Sequence, residues 1–245
     1  MQGIERGLQV LEAVADHQPV GVGELSRVLG LSKSSVQRNL HGLAAAGWIR
    51  PVGEEYTRWT LTARALAVGQ RGSNEGHLRE IALEPMRELR DLTNETVTLQ
   101  VREGLRMVLI ERVDSHQAVR NFVRLGAITP FPVTSGGLSV LARLPREEQD
   151  RILAEPLEQL TPRTITDPER IRARFPDVIE TGYAVNIGQN RTDVCAVGTA
   201  VMDPGGRQPI AGLGISMPAS RFDEQRVPWW GKQVRATAAA ITERL

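Results

Sequence analysis

The stretch from Val22 to Arg38 limits what this chain can fold into more than any other. Val22-Gly23-Glu24-Leu25-Ser26-Arg27-Val28-Leu29 sets apolar residues at i, i+3 and i+4 and then meets Gly30, a residue suited to a left-handed helix end. Leu31 turns back toward the core, Ser32 is placed to cap, and a new helix opens at Lys33 with Val36, Leu40 and Leu43 on one stripe. A short helix, a Gly-Leu-Ser turn and a second helix make a helix-turn-helix.

The flanks complete a small domain. Ile4, Leu8, Leu11 and Ala15 recur at helical spacing, with Glu5, Glu12 and Asp16 opposite, and a loop at 17–21 leads into the second helix. The third helix is expected over 33–46 and ends at Gly47. Trp48-Ile49 starts a strand, Val52-Gly53-Glu54-Glu55 turns, and Tyr56-Thr57-Arg58-Trp59-Thr60-Leu61 returns. Three helices and a hairpin are a winged helix-turn-helix.

A chain of 245 residues has room for a second domain. From Thr62 to Thr93 the pattern is helical, broken at Arg71-Gly72-Ser73-Asn74-Glu75-Gly76, and the interdomain connection is expected there. The expected division is a DNA-binding module over 1–62, a linker helix over 63–77 and a second domain over 78–245. Beyond the linker, Val97, Leu99 and Val101 alternate with Thr96, Thr98 and Gln100, and an apolar strand returns over 107–113. Further strands are expected near 118–124 and over 183–187, 195–202 and 210–217, with helices over 135–143 and 146–154 and at the carboxyl end. The second domain is therefore an α+β sheet with packed helices.

Apolar residues make up 41% and charged residues 24%, which excludes disordered, collagen-like and disulfide-rich chains. Thirty basic against twenty-nine acidic residues leave a net charge of +1, so affinity for nucleic acid must come from local clustering. Such a cluster exists: between Leu25 and Gly53 stand Arg27, Lys33, Arg38 and Arg50 and no acid. Helix three turns Lys33, Ser34, Gln37, Arg38 and His41 away from its apolar stripe, and these side chains donate to phosphates and to base edges in a major groove. Four basic residues could instead form only a solvated face; their coincidence with the turn and the hairpin favours DNA. Arg50 and Arg58 on the wing could hold the flanking backbone or the minor groove, while Trp48 and Trp59 read as packing.

Catalytic readings fare worse. His17, His41, His77 and His116 are scattered without metal-ligand spacing, so no metal or cofactor is expected. Cys195 is the only cysteine, which rules out an intramolecular disulfide and fits a reducing compartment. On an apolar strand it reads as packing or a pocket wall. Gly214-Ile215-Ser216-Met217-Pro218 lacks the closing glycine of a nucleophile elbow. Thr134-Ser135-Gly136-Gly137-Leu138-Ser139 opens a helix and could present backbone N–H groups to a carboxylate or phenolate, or be an ordinary capped start. No apolar run approaches the ~20 residues that cross a bilayer, and the chain reads as cytoplasmic.

These residues together resemble the IclR family of transcriptional regulators. The amino-terminal half of the resemblance lies in Leu8-Gln9-Val10-Leu11-Glu12, in residues 24–38, in Gly47-Trp48-Ile49 and in Trp59-Thr60-Leu61-Thr62. The remainder resembles the family's GAF-like effector domain through Glu95-Thr96-Val97-Thr98-Leu99, residues 126–132, Gly136-Gly137, Gly182-Tyr183-Ala184-Val185 and Cys195-Ala196-Val197-Gly198. The resemblance implies a homodimer, often paired into a tetramer, that binds double-stranded operator DNA and responds to a small organic effector. It is without catalytic activity, and a repressor is the commoner form. It implies DNA contacts from Ser32, Lys33, Ser34, Ser35, Gln37, Arg38, His41, Arg50 and Arg58. It further implies an effector pocket at Thr134, Ser135, Gly136, Asn186, Cys195, Gly214 and Ser216, with Leu99 and Met107 as apolar walls.

Three departures bear on the effector. Leu138 stands where members commonly have a basic residue, Asn186 where they often have an acid, and Gly214 leaves only Ser216 of a serine pair. Charge and hydroxyl are removed, so an aromatic acid, phenol or other weakly polar metabolite is expected over a two- or three-carbon oxoacid. The competing class is a sensor or small-molecule-binding enzyme whose winged helix serves protein contacts.

Overall fold

The computed structural model describes residues 2–53, 56–69 and 74–245. The chain divides into two compact units, Met1–Ser73 and Asn74–Leu245.

In the first unit, helices α1 (Gln2–His17), α2 (Val22–Leu29) and α3 (Lys33–Ala45) close around Val10, Val14, Leu25, Val36 and Leu40, all fully buried. Gly30 ends α2 at φ +64°, a conformation that costs an L side chain about 1–2 kcal/mol. Ser32 then caps α3, its hydroxyl accepting the Ser35 N–H at 3.2 Å. Strands β1 (Ile49–Val52) and β2 (Arg58–Leu61) pair antiparallel from Ile49↔Leu61 to Val52↔Arg58. The return strand is shorter than its β-rich sequence predicts: pairing stops at Arg58, and Tyr56 is exposed outside it. Residues 54 and 55 of the expected turn lie outside the described residues. Trp59 is buried, and its backbone exchanges hydrogen bonds with Val20 at 3.1 and 2.8 Å, zipping the loop before α2 to the hairpin.

Helix α4 (Ala63–Gly69) follows. Its Arg64 donates to the Ala46 carbonyl at 2.8 Å and lies 5.5 Å over the Trp48 ring, so a cation sits at the carboxyl end of α3, where the helix dipole favours one. Of the predicted break at 71–76, residues 71–73 lie outside the described residues, and Asn74, Glu75 and Gly76 already belong to α5 (Asn74–Thr93).

The second unit is built on a six-stranded antiparallel sheet in the order β5-β4-β3-β8-β7-β6. Its strands are β3 (Thr96–Glu103), β4 (Arg106–Val113), β5 (Ile128–Thr129), β6 (Ala184–Ile187), β7 (Val194–Met202) and β8 (Pro209–Pro218). Alternation sends Val97, Leu99, Cys195, Val197, Leu213 and Ile215 to one face. There they meet Met86 and Leu89 of α5 and Trp230, Val234 and Ile241 of α10 (Val227–Thr242).

The opposite face carries α6 (Ser135–Leu141), α7 (Arg146–Leu153), α8 (Pro168–Arg172) and α9 (Phe175–Thr181) around Phe131, Leu138, Leu141, Ile152 and Val178. Helix α6 lies directly on the sheet because glycine meets glycine: a Cβ on Gly212 would stand 2.7 Å from the Gly136 carbonyl carbon. No substituent fits there without moving backbone.

The strand expected at 118–124 does not form. Strand β4 is instead edged by Ile128 and Thr129, through Val108↔Ile128 and Met107↔Thr129, and the preceding residues are an irregular loop. The hydrophobic residues that suggested a strand stand outward: Val119 is 69% and Phe122 55% exposed, the latter beneath the Arg112 guanidinium. Of the two polar residues between them, the second turns in. Asn121 is buried, its carbonyl accepting from Thr96 Oγ1 at 3.1 Å.

Candidate functional site

Two surfaces collect the side chains singled out by sequence. On α3, Val36 and Leu40 face the core, so the 3.6-residue period turns Lys33, Ser34, Gln37, Arg38 and His41 to solvent. None of the twelve ion pairs among the described residues involves Lys33 or Arg38. Ser32 and Ser34 hydroxyls lie 3.1 Å apart at the amino end of the helix. Ser35 is half-buried and its hydroxyl oxygen has no partner, so it faces the domain more than the solvent. His41 meets the Trp59 ring edge-on at 6.2 Å, which holds the imidazole beside the hairpin.

The two wing arginines differ. Arg50 is exposed on β1. Arg58 is engaged internally: its Nη2 meets Glu24 Oε2 at 3.1 Å and its Nε donates to the Pro19 carbonyl at 2.9 Å. It braces the loop before α2 against the hairpin.

The second surface is a narrow cavity on the α6 face of the sheet, with a volume of about 70 Å³. Of the predicted pocket residues, Thr134, Ser135, Gly136, Asn186 and Ser216 line it. Four others do not. Leu99 and Cys195 occupy alternate strand positions that point into the α5/α10 core, and burial there pushes the Cys195 thiol above its ordinary pKa, away from nucleophile chemistry. Met107 is on the cavity's side of the sheet but is sealed under Phe131 and α6, its Cγ 3.2 Å from where a Gly137 Cβ would stand. Gly214 is filled over by the Ser135 hydroxyl, 3.2 Å from where its Cβ would be.

The cavity's other walls were not singled out by sequence. Thr98 and Gln100 are the polar alternates of Leu99, Leu109 stands two residues beyond Met107, and Asn121 reaches in from the loop that replaces the expected strand. The signal for Thr98 and Gln100 was visible as alternation, but polar alternates ordinarily mark a solvent face. Nothing local announced Asn121.

The lining polar groups mostly satisfy one another. Thr134 Oγ1 donates to Gln100 Oε1 at 3.0 Å and accepts the Gly137 N–H at 3.0 Å. Asn186 is engaged at both ends: its amide donates to the Val133 carbonyl and its Oδ1 accepts the Gln189 N–H at 3.1 Å. Asn121 Nδ2 donates to Ser216 Oγ at 3.0 Å, which leaves Asn121 Oδ1 buried without a partner. No residue lining the cavity carries a charge. A bidentate pair outside it, Arg221 with Glu95 at 2.8 and 2.6 Å, fixes the Asn121 loop through the Val119 carbonyl at 2.6 Å. The Glu95 carboxylate holds that guanidinium's pKa above its usual value.

Among the described residues no group of three or more His, Cys, Asp or Glu is placed to hold a metal ion, and no helix is long and apolar enough to cross a membrane.

Comparison with known proteins agrees with this geometry. Residues 3–53 match the IclR helix-turn-helix domain and residues 72–243 the bacterial transcriptional regulator IclR C-terminal domain. The chain is 30% identical over 237 residues to the HTH-type transcriptional regulator KdgR of Escherichia coli strain K12, covering 96% of this chain and 89% of that protein. It is 26% identical over 246 residues to the transcriptional repressor IclR of the same strain, covering 99% and 89%. A solved IclR homologue from Microbacterium hydrocarbonoxydans, in complex with 4-hydroxybenzoate, superposes with a TM-score of 0.81 at 25% identity and 98% coverage of both chains. These relatives are regulators, not enzymes, and with both of the family's domains matched in order, the chain belongs to the IclR family of bacterial transcriptional regulators.

Proposed function

We propose that this ligand-responsive transcriptional regulator is a cytoplasmic repressor, acting as a homodimer that can pair into a tetramer. Its recognition helix α3 lies in the major groove of operator DNA, with 1–62 as the reading module, 63–77 as the linker and 78–245 as the sensor. Lys33, Ser34, Gln37 and Arg38 supply phosphate and base-edge contacts, with Ser32 and Ser35 setting the helix end, His41 adding a donor one turn further on and Arg50 reaching the flanking backbone. The exposed, carboxylate-free cationic face of α3 carries this reading. Salt dependence tests it: anisotropy titrations of promoter DNA should weaken steeply with ionic strength, because each phosphate contact releases counterions. A flat dependence would point to protein contacts instead.

The effector is a compact ring compound carrying a hydroxyl. Uncharged walls give a two- or three-carbon oxoacid no counter-charge and little apolar contact to offset the desolvation of its carboxylate, whereas a ring compound buries more apolar surface and the unpartnered Asn121 Oδ1 can accept its phenolic hydrogen. The related protein solved with 4-hydroxybenzoate supports the same class. To act, the effector must bind one arrangement of the protein better than the other, since only differential affinity shifts the equilibrium. Calorimetric titration with 4-hydroxybenzoate and phenol should show binding that glyoxylate and pyruvate do not; tight oxoacid binding with no aromatic binding rejects it.

A further inference from the structure

A second depression opens at the other end of α6, between α9, α10 and the part of β7 beyond its pairing with β6, with a volume of about 1000 Å³. Arg143, Lys232 and Arg235 line it, against two acids, Glu180 and Glu243. The two arginines are the unusual feature. Arg143 is half-buried just past α6 and donates one N–H to the Ser139 carbonyl at 2.9 Å. Arg235 donates one to the Thr181 carbonyl at 3.1 Å, its side chain lying across Gly182. Each guanidinium has five N–H groups, so most of this donor capacity is unspent.

Neither arginine has a carboxylate within 4.0 Å among the described residues, although many surface arginines of the same unit do. Burial, and then the like charge of Arg235, push the Arg143 pKa below its ordinary value, so the two guanidiniums repel each other across the depression.

We infer that this groove is a second ligand site, which takes a compact oxyanion, a carboxylate or phosphate on a small organic body, between the Arg143 and Arg235 guanidiniums. Planar guanidiniums match the paired oxygens of both groups. Ala200 and Ala239 leave room for the organic body. Glu180 and Glu243 limit the occupant to a small anion, since a polyanion such as nucleic acid would meet them both. Arg143 also holds the carboxyl end of the helix whose amino end lines the effector cavity, so an anion drawn to Arg143 acts on an element shared by the two sites.

The test uses the full chain in a buffer free of phosphate and carboxylate. Inorganic phosphate and succinate are titrated separately by calorimetry, and whichever binds identifies the oxyanion. Arg235→Glu should weaken that binding at least about tenfold, the order expected for one lost charge-assisted hydrogen bond. The double substitution Lys33→Ala, Arg38→Ala should leave it unchanged. Arg143→Lys, which keeps the charge but loses the fork, should weaken it less than Arg235→Glu, with circular dichroism confirming that each variant is folded. Absence of saturable binding by either anion overturns the proposal, as does a loss that follows the Lys33 and Arg38 substitutions. So does an Arg235→Glu variant that changes only self-association in sedimentation, because the groove would then be a contact between copies.

Discussion

The two units turn their functional side chains in opposite directions. In the first, Lys33, Gln37 and Arg38 stand outside a core of Val36 and Leu40, so the proposed reading face and the stabilising face are different faces of one helix. In the second, Thr134 and Gln100, and Asn121 and Ser216, point inward and bond in pairs, so the atoms that line the cavity also hold the fold. An outward site can be altered without unfolding its support; an inward one cannot.

The sharpest way to break that contrast is at the base of α3. Leu40→Ala should cost about 2–5 kcal/mol through the cavity it leaves, and should abolish DNA binding along with the unit's fold. Denaturant titration followed by hydrogen exchange of the first unit checks it; wild-type protection would mean that α3 does not depend on this core. Next in size is Gly212→Val, which forces backbone apart where α6 meets β8 and should destabilise the second unit by about 1–3 kcal/mol while removing effector binding. Retained effector affinity in a folded variant would show that the contact at α6 does not shape the cavity.

Arg38→Ala tests the outward side. If it makes a bidentate base contact, operator affinity should fall by about 1–3 kcal/mol with the melting temperature unchanged. Unchanged affinity removes Arg38 from the interface; a lowered melting temperature removes the separation of roles. Ser32→Ala sits between the two classes, because its hydroxyl caps α3 and is also exposed. It should lose about 1 kcal/mol of stability. An operator loss larger than this stability loss, measured by anisotropy on the same preparation, would assign Ser32 a direct contact.

The same contrast explains what could be read from sequence. The first unit was legible because its signals are local: Gly30 with its positive φ, Ser32 as cap, and a stripe that leaves the donors on the other side. In the sheet domain the strands were legible from alternation and the cavity only in part: Thr134, Ser135, Gly136, Asn186 and Ser216 line it, and Leu99 and Cys195 face the other side of the sheet. Leu99 and Thr98 differ by one position, and which of them faces the cavity depends on where α6 lands, a decision made by Gly136 and Gly212 seventy-six residues apart in sequence. Val119 and Phe122 have strand-forming side chains, but the segment that pairs with β4 is Ile128–Thr129, at Met107 and Val108. Helices α8 and α9 are too short for periodicity to show; their signals were the cap and the stop, Asp167 before Pro168 and Gly182 at φ +80°.

Arg58 gives the smallest effect and the finest test of the comparison, because it lies on the outward unit yet behaves as an inward residue. Sequence placed it on the wing as a DNA contact; the structure occupies it with Glu24 and the Pro19 carbonyl. Both partners of the ion pair are substantially exposed, 49% and 41%, and pairs of that kind contribute about 0.2–1 kcal/mol. Arg58→Gln should therefore shift the melting temperature slightly and weaken operator binding less than Arg38→Ala does. Glu24→Gln supplies the converse: it leaves Arg58 without its carboxylate, so non-specific DNA binding at low salt should tighten and its salt slope should steepen by about one phosphate contact. If Arg58→Gln instead costs as much operator affinity as Arg38→Ala, the arginine exchanges Glu24 for phosphate on the duplex, and the brace seen without DNA is a resting position of a reading residue.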